Sequence, residues 1–127
     1  MNLVDTSVAI DHLRGRPEAR NLLERIVSDG DSLAASELVR FELLAGVKPH
    51  EISALESFFS ALTWLPVSEP VSRLAGALAR QYRASFSGID TADYLIAATS
   101  ILHDAPLLTT NVKHFPMLSG LRQAYPD

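Results

Sequence analysis

At 127 residues the chain is long enough to bury a core without disulfides or a structural metal, and its lack of cysteine excludes zinc–thiolate sites, thiol catalysis and any disulfide framework. The 15 acids and 11 bases leave a net charge of −4, which argues against coating nucleic acid by bulk electrostatics, although four carboxylates gathered at one metal would account for the whole excess. No basic leader followed by a long apolar run opens the chain, and no apolar run nears the roughly twenty residues of a membrane span, so the expectation is one soluble domain, residues 1–127, in the cytoplasm and away from membranes.

Leu3-Val4 is an apolar pair that runs into Asp5, Thr6 and Ser7, and Val8, Ala9, Ile10 and Leu13 then fall on a helical arc. The chain therefore begins with a short buried strand that hands over to a helix at Asp5, with Thr6 and Ser7 able to cap it. Gly15 and Pro17 mark a stop and a restart, and a second helix through Leu22, Leu23, Ile26 and Val27 ends at Asp29-Gly30-Asp31. Leu33-Ala34-Ala35 is a weak strand candidate followed by a good cap, Ser36.

The helix from Glu37 to Ala45 ends at Gly46. Projected at about 100° per residue, Glu42 shares a side with Leu38 and Ala45, a carboxylate in line with core positions that wants a cation. Glu37 and Arg40, three apart, read as a solvated pair. From Glu51 to Leu62 the apolar positions are strongly amphipathic, and Trp64 to Val67 reads as a strand. Phe58, Phe59 and Trp64 are better placed as core than as a base-stacking platform. A long helix runs from about Pro70 to Tyr82, with Arg73, Arg80 and Arg83 toward solvent.

After Ser87-Gly88, the segment Ile89 to Thr99 is helical, with Asp93 on the face of Ile96, Ala97 and Ser100; Asp90 can join the same site or cap the helix. Pro106 to Thr109 is a strand candidate with a polar end at Thr109-Thr110-Asn111, and Leu121 to Tyr125 would add a last edge strand. Short apolar strands alternating with helices imply a mostly parallel sheet covered on both faces. Asp5, Glu42, Asp93 and Asn111 would then face the edge where strands end and helices start.

Clustered carboxylates without a cation repel one another, so such a group makes physical sense mainly around a metal. Hard oxygen donors suit Mg²⁺ or Mn²⁺, and phosphodiester hydrolysis is chemistry such an ion supports. The plain alternative is that Asp5 and Asp90 are only helix caps. His12, His50, His103 and His114 show no ligand spacing and receive no role, and no nucleophile elbow surrounds Ser7.

The stretches VDTSV, FELLAG, ADYLIAAT and LLTTNVKHF occur in the order and rough spacing of a PIN domain, and over nearly the whole chain the sequence resembles the VapC ribonucleases of VapBC toxin–antitoxin pairs. The resemblance implies an α/β three-layer α/β/α sandwich with a mostly parallel, roughly five-stranded sheet. It implies Mg²⁺- or Mn²⁺-dependent endonucleolytic cleavage of RNA. Asp5, Glu42 and Asp93 match the family's acidic triad, Asn111 a fourth position that is Asp or Asn, and Ser7 and Thr109 the small hydroxyls that support the acids. Asp5 and Asp93 would be the direct metal ligands, with Glu42 and the auxiliary Asp90 acting through water. The same likeness implies a homodimer, inhibition by a cognate VapB-like antitoxin in a toxin–antitoxin hetero-oligomer, and DNA contact only through that antitoxin. The surfaces around Phe58, Phe59 and Trp64 are candidates for these contacts. Two other readings stay open: a PIN-like binding module whose acids hold a metal or a partner's arginines without turnover, and a receiver domain phosphorylated at Asp5, for which Lys113 is a poor partner.

Overall fold

In the computed structural model, which describes residues 1–126, the first apolar run is the strand β1 (Asn2–Val4). Leu3 and Val4 are both completely buried, and because successive strand side chains point to opposite faces, both faces of β1 are covered. The same holds for β2 (Leu33–Ser36), buried at all four positions. Its alanines make it a weak strand by propensity, but their small side chains let covering helices approach closely.

With β3 (Thr63–Leu65) and β4 (Leu107–Leu108), these strands form a parallel sheet in the order β3-β2-β1-β4. Leu3 pairs with Ala34 on one side and Leu107 on the other. The strand expected from Trp64 to Val67 starts one residue earlier and stops before Pro66, which cannot donate to a ladder.

The edge strand expected at Leu121–Tyr125 does not form, so the described sheet has four strands rather than five. That segment reaches the end of β4 through one backbone bond, Ala124 N–H to Thr109 O at 2.9 Å. Tyr125 is buried, its hydroxyl donating to Asp11 Oδ2 at 2.6 Å under the guanidinium of Arg16, 4.9 Å from its ring centre. What this segment contributes is an anchored aromatic, not a ladder.

Helices α1 (Thr6–Leu13) and α2 (Pro17–Ser28) follow β1 with no strand between them, separated at Gly15, whose φ of +82° suits glycine. Helix α3 (Glu37–Gly46) is capped as expected, Leu38 N–H donating to Ser36 Oγ at 3.1 Å. A 3-10 turn (Pro49–Glu51) leads into α4 (Ile52–Phe59). Helix α5 (Glu69–Tyr82) packs along α6 (Thr91–Leu102). Phe58 and Phe59 belong to the core. Trp64 is half-buried, with its Nε1–H on Phe59 O at 3.1 Å and the guanidinium of Arg40 3.9 Å from a ring centre. These aromatics are therefore not an open platform. Among the described residues no helix is long and apolar enough to cross a membrane.

The chain leaves β1 for β2 and β3 on one side, then returns to lay β4 on the other. The carboxyl ends of β1 and β4 thus flank a topological switch point, the place where parallel sheets open a crevice for ligands.

Candidate active site

Asp5 stands at this switch point. It occupies the N-cap position of α1, yet its side chain makes no capping bond, so the cap-only reading fails. The carboxylate turns instead toward the end of β4: Thr109 Oγ1 donates to Oδ2 at 2.6 Å, and Ser7 Oγ donates to the same oxygen at 3.3 Å. Thr6 and Ser7, expected to cap the helix, spend their hydroxyls on acids. Each hydroxyl that holds Asp5 is itself oriented by the backbone, Asn111 N–H donating to Thr109 Oγ1 at 3.0 Å and Thr110 N–H to Ser7 Oγ at 3.2 Å. An oxygen whose lone pair is occupied in this way aims its proton at the carboxylate.

Asp5 is only 5% exposed and Thr109 is completely buried. Burial pushes the Asp5 carboxyl above its ordinary pKa, while the bonds from Thr109, the Thr6 backbone and Ser7, and the charge of nearby His114, pull it back.

Glu42 does not lie in line with the core. The inward residues of α3 are Val39 and Leu43, while Leu38 is half-buried and Ala45 exposed. Glu42 is on the open side, where Thr6 Oγ1 donates to its Oε1 at 3.1 Å. Partial desolvation raises its pKa, the Thr6 bond lowers it, and the charges of Asp5, Asp90 and Asp93 raise it further. Glu42 therefore feels the charges of the other three acids.

Asp93 and Asp90 are bonded in a reciprocal box at the start of α6: Asp93 N–H donates to Asp90 Oδ1 at 3.1 Å, and Asp90 N–H to Asp93 Oδ2 at 3.2 Å. Asp90 is thus a helix cap, exposed at the rim of the site. Asp93 is pushed up by desolvation and by Asp90, and drawn down by the Asp90 backbone and by His114. Asn111 is exposed beside Thr109 and contributes its backbone to the network.

The carboxylates are hard oxygen donors, and His114 is the base that stands beside Asp93. Among the described residues no three acids or histidines already stand close enough to hold an ion together.

The sequence matches the PIN domain family over residues 3–118 and is 58% identical over 125 residues to Ribonuclease VapC19 of Mycobacterium tuberculosis, covering 98% of this chain and 100% of that one. The chain belongs to the VapC family of PIN domains. Solved structures agree with this PIN fold. A chain of a toxin–antitoxin complex from Klebsiella pneumoniae superposes with a TM-score of 0.85 at 27% identity, covering 100% of both chains. A chain of VapBC2 from Rickettsia felis, bound to a DNA fragment from their promoter, superposes with a TM-score of 0.85 at 25% identity, covering 99% of this chain and 98% of that one.

In this PIN domain the structure adds one residue to those expected at the site. His114, set aside for want of ligand spacing, places Nδ1 3.2 Å from Asp93 Oδ2. Its only sequence signal is its position three residues after Asn111, one turn beyond the polar end of β4.

Proposed function

We propose that this protein is a metal-dependent endoribonuclease, the toxin of a VapBC-type pair. One observation supports this reading above the others: a buried carboxylate at the switch point, held by two oriented hydroxyls, whose charge acts on Glu42 together with those of Asp90 and Asp93. The VapC ribonuclease relatives and the toxin–antitoxin neighbours support the substrate and the partner.

Asp5 and Asp93 would hold Mg²⁺ or Mn²⁺ directly, with Glu42, Asp90 and Asn111 acting through water. Bound there, the ion supplies polarisation of the phosphoryl oxygen, a lowered pKa for water and neutralisation of the leaving oxygen. The chain's own groups do the rest. Thr109 and Ser7 keep Asp5 in one orientation. Glu42, its pKa raised by partial desolvation and by the charges of its neighbours and its Oε1 bound to Thr6, would accept a proton at Oε2 from an attacking water.

A cleft of about 500 Å³ between α1, α3 and α4 opens beside Glu42, with Ile10, Leu13, Leu43, Val47 and Leu55 as apolar lining. It suits an amphipathic segment of the antitoxin, with a cationic side chain directed to the acids. DNA contact belongs to the antitoxin, as the net charge of −4 agrees. Cytoplasmic action and homodimerisation are part of the same proposal, and light scattering of the purified chain tests the dimer.

The deciding experiment incubates purified protein with structured RNAs in Mg²⁺, Mn²⁺ or EDTA, beside Asp5→Asn and Asp93→Asn. Cleavage that needs metal and disappears in both variants is expected. Equal cleavage by all three proteins would refute it, and metal binding without turnover would identify a silent binding module.

A further inference from the structure

Two nitrogens meet on one oxygen of Asp93. Asp90 N–H reaches Oδ2 at 3.2 Å from within α6, and His114 Nδ1 stands 3.2 Å from the same atom. The histidine comes from a different part of the fold, the 3-10 turn Val112–His114 that follows Asn111. Its backbone is fixed: His114 N–H donates to Asn111 O at 2.9 Å, and Phe115, buried in the core, donates to Val112 O at 3.0 Å. The side chain itself remains 43% exposed.

Asp5 shows the same division, with Thr109 and Ser7 both on Oδ2. In each acid Oδ2 meets protein groups from two directions, while Oδ1 takes no side-chain bond. We propose that His114 is a positioning residue, whose Nδ1–H pins Asp93 Oδ2 so that Oδ1 is presented to the metal. The proposal rests on the metal-site reading above. A carboxylate held in this way binds in one pose, whereas a free one exchanges its oxygens and must be ordered on binding. An ionised carboxylate only accepts, so the imidazole proton sits on Nδ1 and Nε2 is left as an acceptor.

The test measures Mn²⁺ affinity directly, from the paramagnetic resonance signal of free Mn²⁺, in wild type, His114→Ala, His114→Asn and His114→Gln. Loss of an outer-shell partner weakens metal binding by about 10- to 100-fold, and His114→Ala is expected in that range. Asparagine carries an amide nitrogen as many bonds from Cα as Nδ1, so His114→Asn should recover most of the affinity, whereas glutamine, one bond longer, should not. Melting in EDTA should be nearly the same for all four proteins, because the side chain stands partly in solvent and fills no core position. Wild-type affinity in His114→Ala, or equal weakness in His114→Ala and His114→Asn, would overturn the role of His114. If wild type and Asp5→Asn alike fail to take up Mn²⁺, the metal reading itself falls, and this proposal with it.

Discussion

Thr109→Val isolates the hydrogen bond on which the site geometry depends. The substitution keeps the branched shape at a completely buried position and deletes a donor 2.6 Å from Asp5 Oδ2. A hydrogen bond to a charged group contributes about 1.5–3 kcal/mol, and Asn111 N–H also loses its acceptor, so a loss of about 2–3 kcal/mol of stability is expected at neutral pH. Guanidinium unfolding in EDTA, followed through the single tryptophan, Trp64, measures it, and an unchanged m-value shows that the compactness of the two end states is the same. The deficit must also depend on pH with a definite sign. The Thr109 bond favours the ionised carboxylate, and burial holds the folded-state pKa of Asp5 above 3.8. As pH falls through that raised value Asp5 takes up a proton, the charge that strengthened the bond disappears, and wild type and variant converge. A deficit below about 0.5 kcal/mol, or one equal at acidic and neutral pH, would refute the account of a charge-assisted bond. Ser7→Ala removes a longer bond, 3.3 Å, and should cost about 1 kcal/mol, less than Thr109→Val.

Asp5→Asn should abolish cleavage and yet raise the melting temperature in EDTA at neutral pH. Asp5, Glu42 and Asp93 all have folded-state pKa values raised above 3.8, 4.5 and 3.8, so the folded state binds more protons than the unfolded one in the window above those values, and stability falls as pH rises through it. Equal melting of wild type and Asp5→Asn at neutral pH would contradict this. Adding Mn²⁺ should reverse the order: at about 100 times its dissociation constant the ion stabilises wild type by about 2.7 kcal/mol, with no comparable rise for Asp5→Asn in the same thermal scan. Tyr125→Phe deletes the hydroxyl on Asp11 and should cost about 1–2 kcal/mol in chemical unfolding with little change in cleavage rate, since this bond fastens the tail rather than the acids.

What could be read from the sequence, and what could not, separates along physical lines. Alternating apolar runs, glycine stops and serine caps act locally, so the element order, the two consecutive helices after β1 and the cap at Ser36 were legible before any coordinates. The acids were legible as residues but not as orientations. The helical projection of α3 chose the wrong side, because Leu38 and Ala45 are apolar without being core, and Val39 and Leu43 face inward. Glu42 joins the site from the open side instead. The network on Asp5 links Ser7 with Thr109 and Thr110, over a hundred residues away, and no local pattern encodes a partner chosen by sheet order. The Leu121–Tyr125 segment failed for a related reason: a buried aromatic clamped by Asp11 and Arg16 looks, in one dimension, like an edge strand. The Glu37–Arg40 pair was correctly expected, at 2.6 and 3.1 Å, but its stacking on Trp64 needed the third dimension.

The ladder between β1 and β4 has a temporal meaning as well as a spatial one. Leu3 and Val4 pair with Leu107 and Leu108, and Asp5 meets its principal hydroxyl 104 positions along the chain. At synthesis rates of about 5–20 residues per second, Asp5 is made about 5–20 s before the hydroxyl that orders it, and Asp93 only about 1–3 s before. Until then β1 lacks a neighbour on one side and the first carboxylate lacks its clamp. The site is therefore complete only when synthesis is nearly done, since its clamp on Asp5 is among the last segments made.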